Sequence, residues 1–483
     1  MKSFRLLAML LLAGLSFQSS ARAALTLPAI FGDNMILQQQ LAVPVWGWAA
    51  PQANVTVKFA GQIKTARADA NGLWRVTLGK LKASFSPQSL VIAADDTKTF
   101  TNILVGEVWL ASGQSNMEKP VGNQPGQKPT WNAEQELAAA DYPNLRLFKV
   151  EKMLSASPRT QLEKFYGWQA CNSNALEAVK FSAAAYFFGR ELHTNLNVPV
   201  GLIESSWGGT RIEPWTPPAG FAAVPSLAHI KLPESGTNKL SNTAPTVLYN
   251  AMIAPLAGFA MKGAIWYQGE SNIGETNYDL KMAALIGGWR QVWNEGAFPF
   301  YFVQIAPFKY FGGKTPRVKT PFGLPEFWTL QSQAARHIPN TGMVVTTDLV
   351  DDLNDIHPRN KKEVGHRLAL LARDKTYGQK VVSSGPVFKS MKISGNRAVL
   401  TFDHTAGALG SMDAQPLTWF TIAGADGKFV SAEAKVAGDT VQVSAVGVDK
   451  PVVVRFAWDE LAQPDFINAA GLPAEPFSAW AGR

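Results

Sequence analysis

The stretch Ile103-Leu-Val-Gly-Glu-Val-Trp-Leu-Ala-Ser-Gly-Gln-Ser-Asn-Met117 joins a short apolar run to a polar turn. Runs like this are typical of strands that are buried on both faces. Helical patterns alternate with four further runs, at 198–203, 264–267, 298–305 and 343–347. Because strands and helices alternate, this part of the chain is predicted to be an α/β domain, with a parallel sheet between two helical layers.

The regions on either side have the alternating pattern of β-strands. Before the domain, Val43-Pro-Val-Trp-Gly-Trp48 and Trp74-Arg-Val-Thr-Leu78, with the hairpin turn Asn71-Gly72, predict a small β-sandwich. After it, β-type patterning returns and predicts a second β module. The predicted division is an N-terminal β module (24–100), an α/β domain (101–378) with a loop-rich insertion at about 119–178, and a C-terminal β module (379–483).

The first 23 residues have the pattern of a secretory signal peptide. Lys2 and Arg5 form a basic start, a short apolar run follows, and Ala21-Arg-Ala23 fits the cleavage rule for small residues. The run is too short to span a bilayer, although an uncleaved anchor is the alternative. We expect cleavage near Ala23 and export to the periplasm or the medium, and no membrane span in the mature chain.

The charge and the cysteine content limit the kinds of ligand and cross-link that the chain can have. The formal net charge of +8 includes three basic residues of the signal segment, and there is no run of Lys and Arg typical of nucleic-acid binding. Cys171 is the single cysteine, so an intrachain disulfide and a thiolate metal cluster are both excluded. We expect Cys171 to be buried and inert.

Polar motifs follow four of the five predicted strands. They are Ser112-Gly-Gln-Ser-Asn-Met117, Ser205-Ser-Trp-Gly-Gly-Thr210, Gln268-Gly-Glu-Ser-Asn272 and Asp351-Asp-Leu-Asn-Asp-Ile-His-Pro358. Ligands of open parallel sheets bind outside the carboxyl ends of the strands. A serine, a histidine beside carboxylates, paired glycines and amide groups are the parts that acyl transfer requires.

Each motif also has an ordinary structural explanation, as a polar turn, a plain loop or a helix cap. Their joint occurrence at successive strand ends favours a catalytic site. Of the six histidines, only His357 follows a strand end with carboxylates beside it. The chain has no G-x-S-x-G nucleophile elbow and no plausible zinc-ligand spacing, so we expect neither the common α/β-hydrolase layout nor a metal site.

These residues resemble the sialate O-acetylesterase family, a branch of the SGNH or GDSL-type hydrolases. The resemblance is carried by Gly113-Gln-Ser-Asn-Met117, Trp207-Gly-Gly-Thr-Arg211, Trp266-Tyr-Gln-Gly-Glu-Ser271 and Asp355-Ile-His-Pro358, and it covers most of the chain up to about 378. It implies an SGNH-type three-layer α/β fold. It also implies a serine esterase that removes acetyl groups from sugars without a cofactor.

The resemblance assigns roles residue by residue. Ser115 is the nucleophile, and His357 is the base and then the acid. The backbone N–H groups of Ser115 and Gly209 and the amide of Gln268 form the oxyanion hole, with Asn272 as the fallback.

The carboxylate that supports the histidine is less clearly assigned. The wider superfamily places an aspartate three residues before the histidine, where this chain has Asn354. The closer family carries Asp-x-His, which selects Asp355, with Asp352 as the fallback. An asparagine cannot stabilise an imidazolium as a carboxylate does.

The parent glycan stays open at this stage. Trp207, Asn116 and Glu270 lie in the motifs and are candidate substrate contacts. Arg211 would suit a sialic acid carboxylate, or it would pair with Glu213 or Glu204. Acetylated sialic acid, xyloglucan and xylan are therefore all candidate substrates.

Two rival functions remain. The flanking β modules and the tryptophan content allow a non-catalytic carbohydrate-binding protein, but binding alone does not need the pair Ser115 and His357. A lipid esterase would need an apolar surface near the site, and the sequence reveals none. The sequence does not define the oligomeric state.

Overall fold

The computed structural model describes residues 24–234, 236, 239–312 and 316–482. The predicted signal peptide and its cleavage site at Ala23 lie outside these residues. Within the described ranges, no helix is both long and apolar enough to cross a membrane.

The N-terminal part is built of β-strands, as its alternating pattern predicts, and all its pairs are antiparallel except β1 with β7. In β5 the side chains of Trp74, Val76 and Leu78 are buried, whereas those of the intervening residues are exposed. β2 pairs with β5, and β3 pairs with β4 and β6. The strands are β1 (Ile36–Gln38), β2 (Val43–Trp48), β3 (Asn54–Phe59), β4 (Gln62–Arg67), β5 (Leu73–Leu78), β6 (Ser84–Ala93) and β7 (Thr97–Gly113).

The 17-residue strand β7 belongs to two parts of the molecule. Its first part pairs with β6 of the N-terminal sheet. Its second part lies between β10 and β11 of the central sheet. The boundary expected near residue 100 therefore falls inside a continuous strand.

The middle of the chain alternates strands and helices. Its elements are α1 (Ser115–Glu118), α2 (Ala133–Ala138), β8 (Asp141–Val150), β9 (Phe165–Asn172), α3 (Ser173–Ala178), α4 (Ala183–Leu196), β10 (Val200–Ser206), α5 (Pro218–Ala223), β11 (Gly263–Tyr267), α6 (Tyr278–Trp293), β12 (Phe300–Val303), α7 (Gly323–His337), β13 (Thr341–Val344) and α8 (Lys361–Leu371). The sheet has the order β13-β12-β11-β7-β10-β8-β9, and only β9 is antiparallel to its neighbour.

Side chains of β7 alternate between two cores. Val108 and Leu110 pack in the core that includes apolar residues of α6 and α7, whereas Trp109 and Ala111 pack in the core that includes α4 and α8. Because successive strand residues point to opposite faces, the sheet lies between two helical layers. The predicted three-layer α/β architecture is confirmed.

The segment at about 119–178 differs from the expected loop-rich insertion. It contains β8 and β9, which extend the central sheet beyond β10. Arg146 and Lys149 interrupt the apolar residues of β8, so the sequence lacks the continuous apolar run that marks the other strands.

The C-terminal part forms a second β module with its own aromatic core. Glu460 attaches it to the loop after β12, because its carboxylate accepts hydrogen bonds from the N–H groups of Tyr310 (2.8 Å) and Phe311 (2.7 Å). The strands are β14 (Val387–Ser394), β15 (Arg397–Asp403), β16 (Leu409–Ser411), β17 (Phe420–Ala423), β18 (Val430–Ser431), β19 (Glu433–Ala437), β20 (Thr440–Ser444), β21 (Val453–Phe456), β22 (Phe466–Asn468) and β23 (Phe477–Trp480).

Candidate active site

The order of the central sheet creates a crevice at the carboxyl end of β7. The strands β8 and β10, which follow β7 along the chain, lie on one side of β7 in the sheet, whereas β11 lies on the other side. At such a switch point the loops after neighbouring strands diverge and leave room for a ligand. The loops after β7, β10 and β11 carry three of the four motifs.

A tight turn places Ser115 in this crevice. Gly113 has φ +141°, and a Cβ atom there would lie 2.2 Å from the carbonyl oxygen of Tyr267, so only glycine fits. Ser115 then begins the short helix α1. The first N–H groups of a helix have no intrahelical acceptor, so the Ser115 N–H is available to an oxyanion.

Ser115, His357 and Asp355 form a connected series. The Nε2 atom of His357 lies 2.9 Å from Ser115 Oγ, and Nδ1 lies 3.4 Å from Asp355 Oδ1. Asp355 Oδ1 also accepts a 2.9 Å hydrogen bond from the backbone N–H of His357. Asp352 instead contacts Lys128, whose Nζ lies 2.8 Å from its Oδ2. Asp355 is therefore the aspartate that the structure brings to the histidine.

Burial keeps His357 in its neutral form. The pKa of His357 is lowered from 6.5 to about 4. The largest cause is the loss of solvent on burial, and the second is the positive charge of Lys361. A neutral imidazole is the form that accepts a proton from a serine hydroxyl. Near neutral pH, His357 is therefore in the form that can accept a proton from Ser115.

Gly209 offers a second backbone donor in the turn after β10, where a Cβ atom added to the preceding Gly208 would lie 3.1 Å from Ser115 Cβ. Gly209 has φ +75°, and a Cβ atom there would meet nothing within 4 Å, so the turn faces open space. Among the residues that the structure describes, its N–H has no hydrogen-bond partner. The turn is held from behind, because Gly208 N–H donates to Glu118 Oε2 over 2.6 Å.

The amide of Gln268, expected in the oxyanion hole, is committed within the protein. Its Nε2 atom donates to Gln114 Oε1 (3.1 Å), Thr210 O (3.2 Å) and Asn272 Oδ1 (2.8 Å), and the side chain is fully buried. An amide has only two N–H bonds, so neither is left for a ligand in this arrangement.

The fallback residue, Asn272, is equally occupied. Its Nδ2 atom donates to Glu213 Oε2 (3.0 Å) and Glu275 Oε2 (3.1 Å). Among the described residues, the backbone N–H groups of Ser115 and Gly209, by contrast, have no hydrogen-bond partner.

Two expected substrate contacts lie beneath the site. Asn116 and Glu270 are each 1% exposed, and Asn116 Nδ2 donates to Glu270 Oε1 over 2.5 Å. They contact each other, and Asn116 also contacts the buried Lys361, because the turn at Ser115 directs the side chain of Asn116 inward.

The other two candidates lie at the protein surface. Arg211 is ion-paired with Glu275 and lies 3.4 Å from Glu213, which matches the structural alternative for this residue. Trp207 is half-buried, and the Lys152 ammonium lies 5.8 Å from its ring centroid. Trp207 directly follows β10 and leads into the Gly208–Gly209 turn.

Sequence reasoning missed three charged residues at the site, namely Glu118, Lys119 and Lys361. Glu118 holds the Gly208 turn, whereas Lys119 and Lys361 are buried cations near His357. Burial lowers the pKa of Lys119 to about 8 and that of Lys361 to about 7. In the sequence, each of the three lies within about one helical turn of the serine or the histidine, and this position is the signal that could have identified them.

Known proteins resemble this chain along most of its length. A family model described as "Carbohydrate esterase, sialic acid-specific acetylesterase" matches residues 105–373. The sialate O-acetylesterase of Mus musculus is 32% identical over 436 residues, which cover 78% of each chain. The sialate O-acetylesterase of Homo sapiens is 31% identical over 428 residues, which cover 80% of this chain and 77% of the relative.

A solved structure extends the comparison to almost the whole chain. The crystal structure of a carbohydrate acetylesterase from Xanthomonas citri has a TM-score of 0.84 and 37% sequence identity, and it covers 95% of this chain and 100% of that chain. The fold expected of an SGNH-type esterase is thereby confirmed. The chain belongs to the family of carbohydrate esterases described as sialic acid-specific acetylesterases, and it is a carbohydrate O-acetylesterase.

Proposed function

We propose that the chain removes O-acetyl groups from sugars through an acyl-enzyme formed on Ser115. The observation that carries this mechanism is the 2.9 Å approach of His357 Nε2 to Ser115 Oγ, with Asp355 on the other ring nitrogen. His357 accepts the hydroxyl proton while Oγ attacks the acetyl carbonyl carbon. The negative charge that develops on the carbonyl oxygen faces the N–H groups of Ser115 and Gly209.

The reaction then divides into two displacements. The tetrahedral intermediate expels the sugar oxygen, which takes the proton from His357 and leaves as a hydroxyl group. Water enters, gives its proton to His357 and attacks the acetyl-serine carbonyl. Collapse of the second intermediate releases acetate and returns the proton to Ser115 Oγ. Asp355 holds the ring orientation and stabilises the imidazolium that forms in each step.

Among sugars, we propose acetylated sialic acid as the substrate, because the relatives are sialate O-acetylesterases. The ion-paired Arg211 gives no separate support for a carboxylate contact. Acetylated xyloglucan and xylan fragments are the comparison substrates. We further propose that the chain is exported after cleavage near Ala23, as residues 1–23 indicate.

The test measures acetate release by the purified chain that begins at Ala24. O-acetylated sialic acid, acetylated xyloglucan fragments and acetylated xylan fragments are supplied separately, and Ser115→Ala is the blank. Release from sialic acid that disappears in Ser115→Ala is the expected result. Release from the plant glycans alone would move the substrate assignment to the alternative. Full release by a folded Ser115→Ala would contradict the mechanism.

A further inference from the structure

Lys361 is a buried cation without a carboxylate partner. Its side chain has no exposed surface, and it is the first residue of α8, four residues after His357. Within the described ranges, no carboxylate oxygen lies within 4.0 Å of its Nζ atom. Burial of an unpaired ammonium is costly, and a helix N-terminus disfavours a cation. Stabilisation of the fold therefore does not explain why a lysine occupies this position.

The contacts of Lys361 lead directly to the nucleophile. Its Nζ atom donates to Asn116 Oδ1 over 2.6 Å and lies 4.9 Å from the ring centroid of Tyr267. Asn116 is the residue after Ser115, in the first turn of α1. The ammonium therefore acts on the segment that carries the nucleophile.

The Asn116 amide joins this segment to the one that carries the base. Its Nδ2 atom donates to the carbonyl oxygen of Ile356 over 2.9 Å. Ile356 directly precedes His357, and a carbonyl oxygen can only accept, so the amide nitrogen must face it. Oδ1 then faces away, and Lys361 Nζ is the donor that satisfies it. One amide thus spans the neighbours of Ser115 and His357.

We infer that Lys361 is a positioning residue of the reaction: it fixes the Asn116 amide and thereby the approach of His357 to Ser115. The inference rests on the proposed function. Lys361 touches no reacting atom, so its effect passes through Asn116. Its charge adds a second effect, because it opposes protonation of His357. Glu270 completes the group, with Oε1 bound to Asn116 and Oε2 buried without a partner among the described residues.

The experiment compares Lys361→Met with Lys362→Met. Both substitutions remove one ammonium from the start of α8, but the side chain of Lys362 is 61% exposed and pairs with Glu136. Hydrolysis of 4-nitrophenyl acetate and labelling of Ser115 by a fluorophosphonate report on the nucleophile without any sugar. For Lys361→Met we expect kcat and the labelling rate to fall by about 10- to 100-fold with little change in KM. Lys362→Met is expected to stay within about twofold of the wild type.

Two further readouts separate positioning from general destabilisation. The acid limb of kcat/KM should move to higher pH in Lys361→Met, because one of the two lysine charges that oppose protonation of His357 is gone, while Lys119 remains. In addition, Lys361→Met should cost little further activity in an Asn116→Ala background, because both changes break the same connection. Additive losses, or a kcat within twofold of the wild type, would overturn the inference.

A conservative variant covers the case in which Lys361→Met does not fold. Lys361→Gln keeps a neutral donor, so it should retain more of kcat than Lys361→Met while showing the same shift of the acid limb. An unshifted limb in a folded Lys361→Gln would overturn the electrostatic part. If the wild type shows no Ser115-dependent reaction with either probe, the proposed function and this inference fail together; an active wild type with an unaffected Lys361→Met removes only the inference.

Discussion

Asp355 Oδ1 contacts His357 twice, at 3.4 Å from the ring atom Nδ1 and at 2.9 Å from the backbone nitrogen. The carboxylate thus holds both the ring and the backbone of the residue. Asp352, three positions earlier, is bound to Lys128 and to the backbone N–H of Asn354. Neighbouring aspartates of one loop therefore have different surroundings.

This difference predicts different results for two identical substitutions. Asp355→Asn should lower kcat by about 10⁴-fold, because an amide can hold the imidazole in the wrong tautomer and cannot stabilise the imidazolium. Asp352→Asn should change kcat by less than about twofold, since exposed ion pairs contribute little. Steady-state kinetics on an acetylated sugar checks both. A large loss in Asp352→Asn alone would reverse the assignment.

The pH profile should report the lowered pKa of His357. The base must be neutral to accept the Ser115 proton, and it is protonated only as the pH falls towards about 4. We expect the acid limb of kcat/KM to lie below about pH 5.5. A change between about pH 7 and pH 8 would report the buried Lys361 and Lys119 instead. An acid limb centred on the ordinary histidine value of 6.5 would contradict the effect of burial and of the Lys361 charge.

Gly209 and Gly61 form a matched pair for the oxyanion contact. Each has φ +75°, and a Cβ atom would meet nothing within 4 Å at either position. Alanine should therefore cost a similar free energy of unfolding at both, about 1–2 kcal/mol for the left-handed backbone. Relaxation of the backbone at Gly209 displaces its N–H, so we expect kcat to fall by about 10²-fold in Gly209→Ala alone. Equal kcat values for the two variants would remove Gly209 from the oxyanion hole.

Cys171 should be unreactive in the native protein. It is fully buried, and burial raises the pKa of its thiol to about 12, so little thiolate exists at neutral pH. Titration with a thiol reagent at about pH 8 should detect no free thiol in the folded chain and one per chain after denaturation. Rapid reaction without denaturant would show that the strand β9 opens locally.

The central sheet was predictable because its strands are buried on both faces and therefore have continuous apolar runs. The strand β8 was not, because Arg146 and Lys149 lie within it and satisfy their charges through tertiary contacts. Arg146 donates to the side-chain oxygen of Asn34 over 3.2 Å, and Lys149 pairs with the buried Glu204. Partners distant in sequence leave no local pattern.

The same distinction applies to the site. Ser115 and His357 could be found from residue type and position after a strand, and the structure brings them to hydrogen-bonding distance. Asn116 and Glu270 were expected at the substrate because they lie in the motifs. Their burial depends on the direction of each side chain after a turn, and a motif does not encode that direction. The buried Lys361 escaped notice because a lysine is ordinarily a surface residue.

The strand β7 has a consequence for how the molecule can be divided or altered. At about 3.3 Å per residue it is a rod of roughly 55 Å, whose far end lies in the N-terminal module and whose near end leads into Ser115. A shortened chain that starts at residue 101 would lack the first residues of β7 and also β6, with which the first part of β7 pairs. A one-residue deletion within β7 would turn every following side chain to the opposite face. The N-terminal module is thus joined to Ser115 by one continuous strand, and we expect it to unfold together with the central sheet as a single cooperative unit.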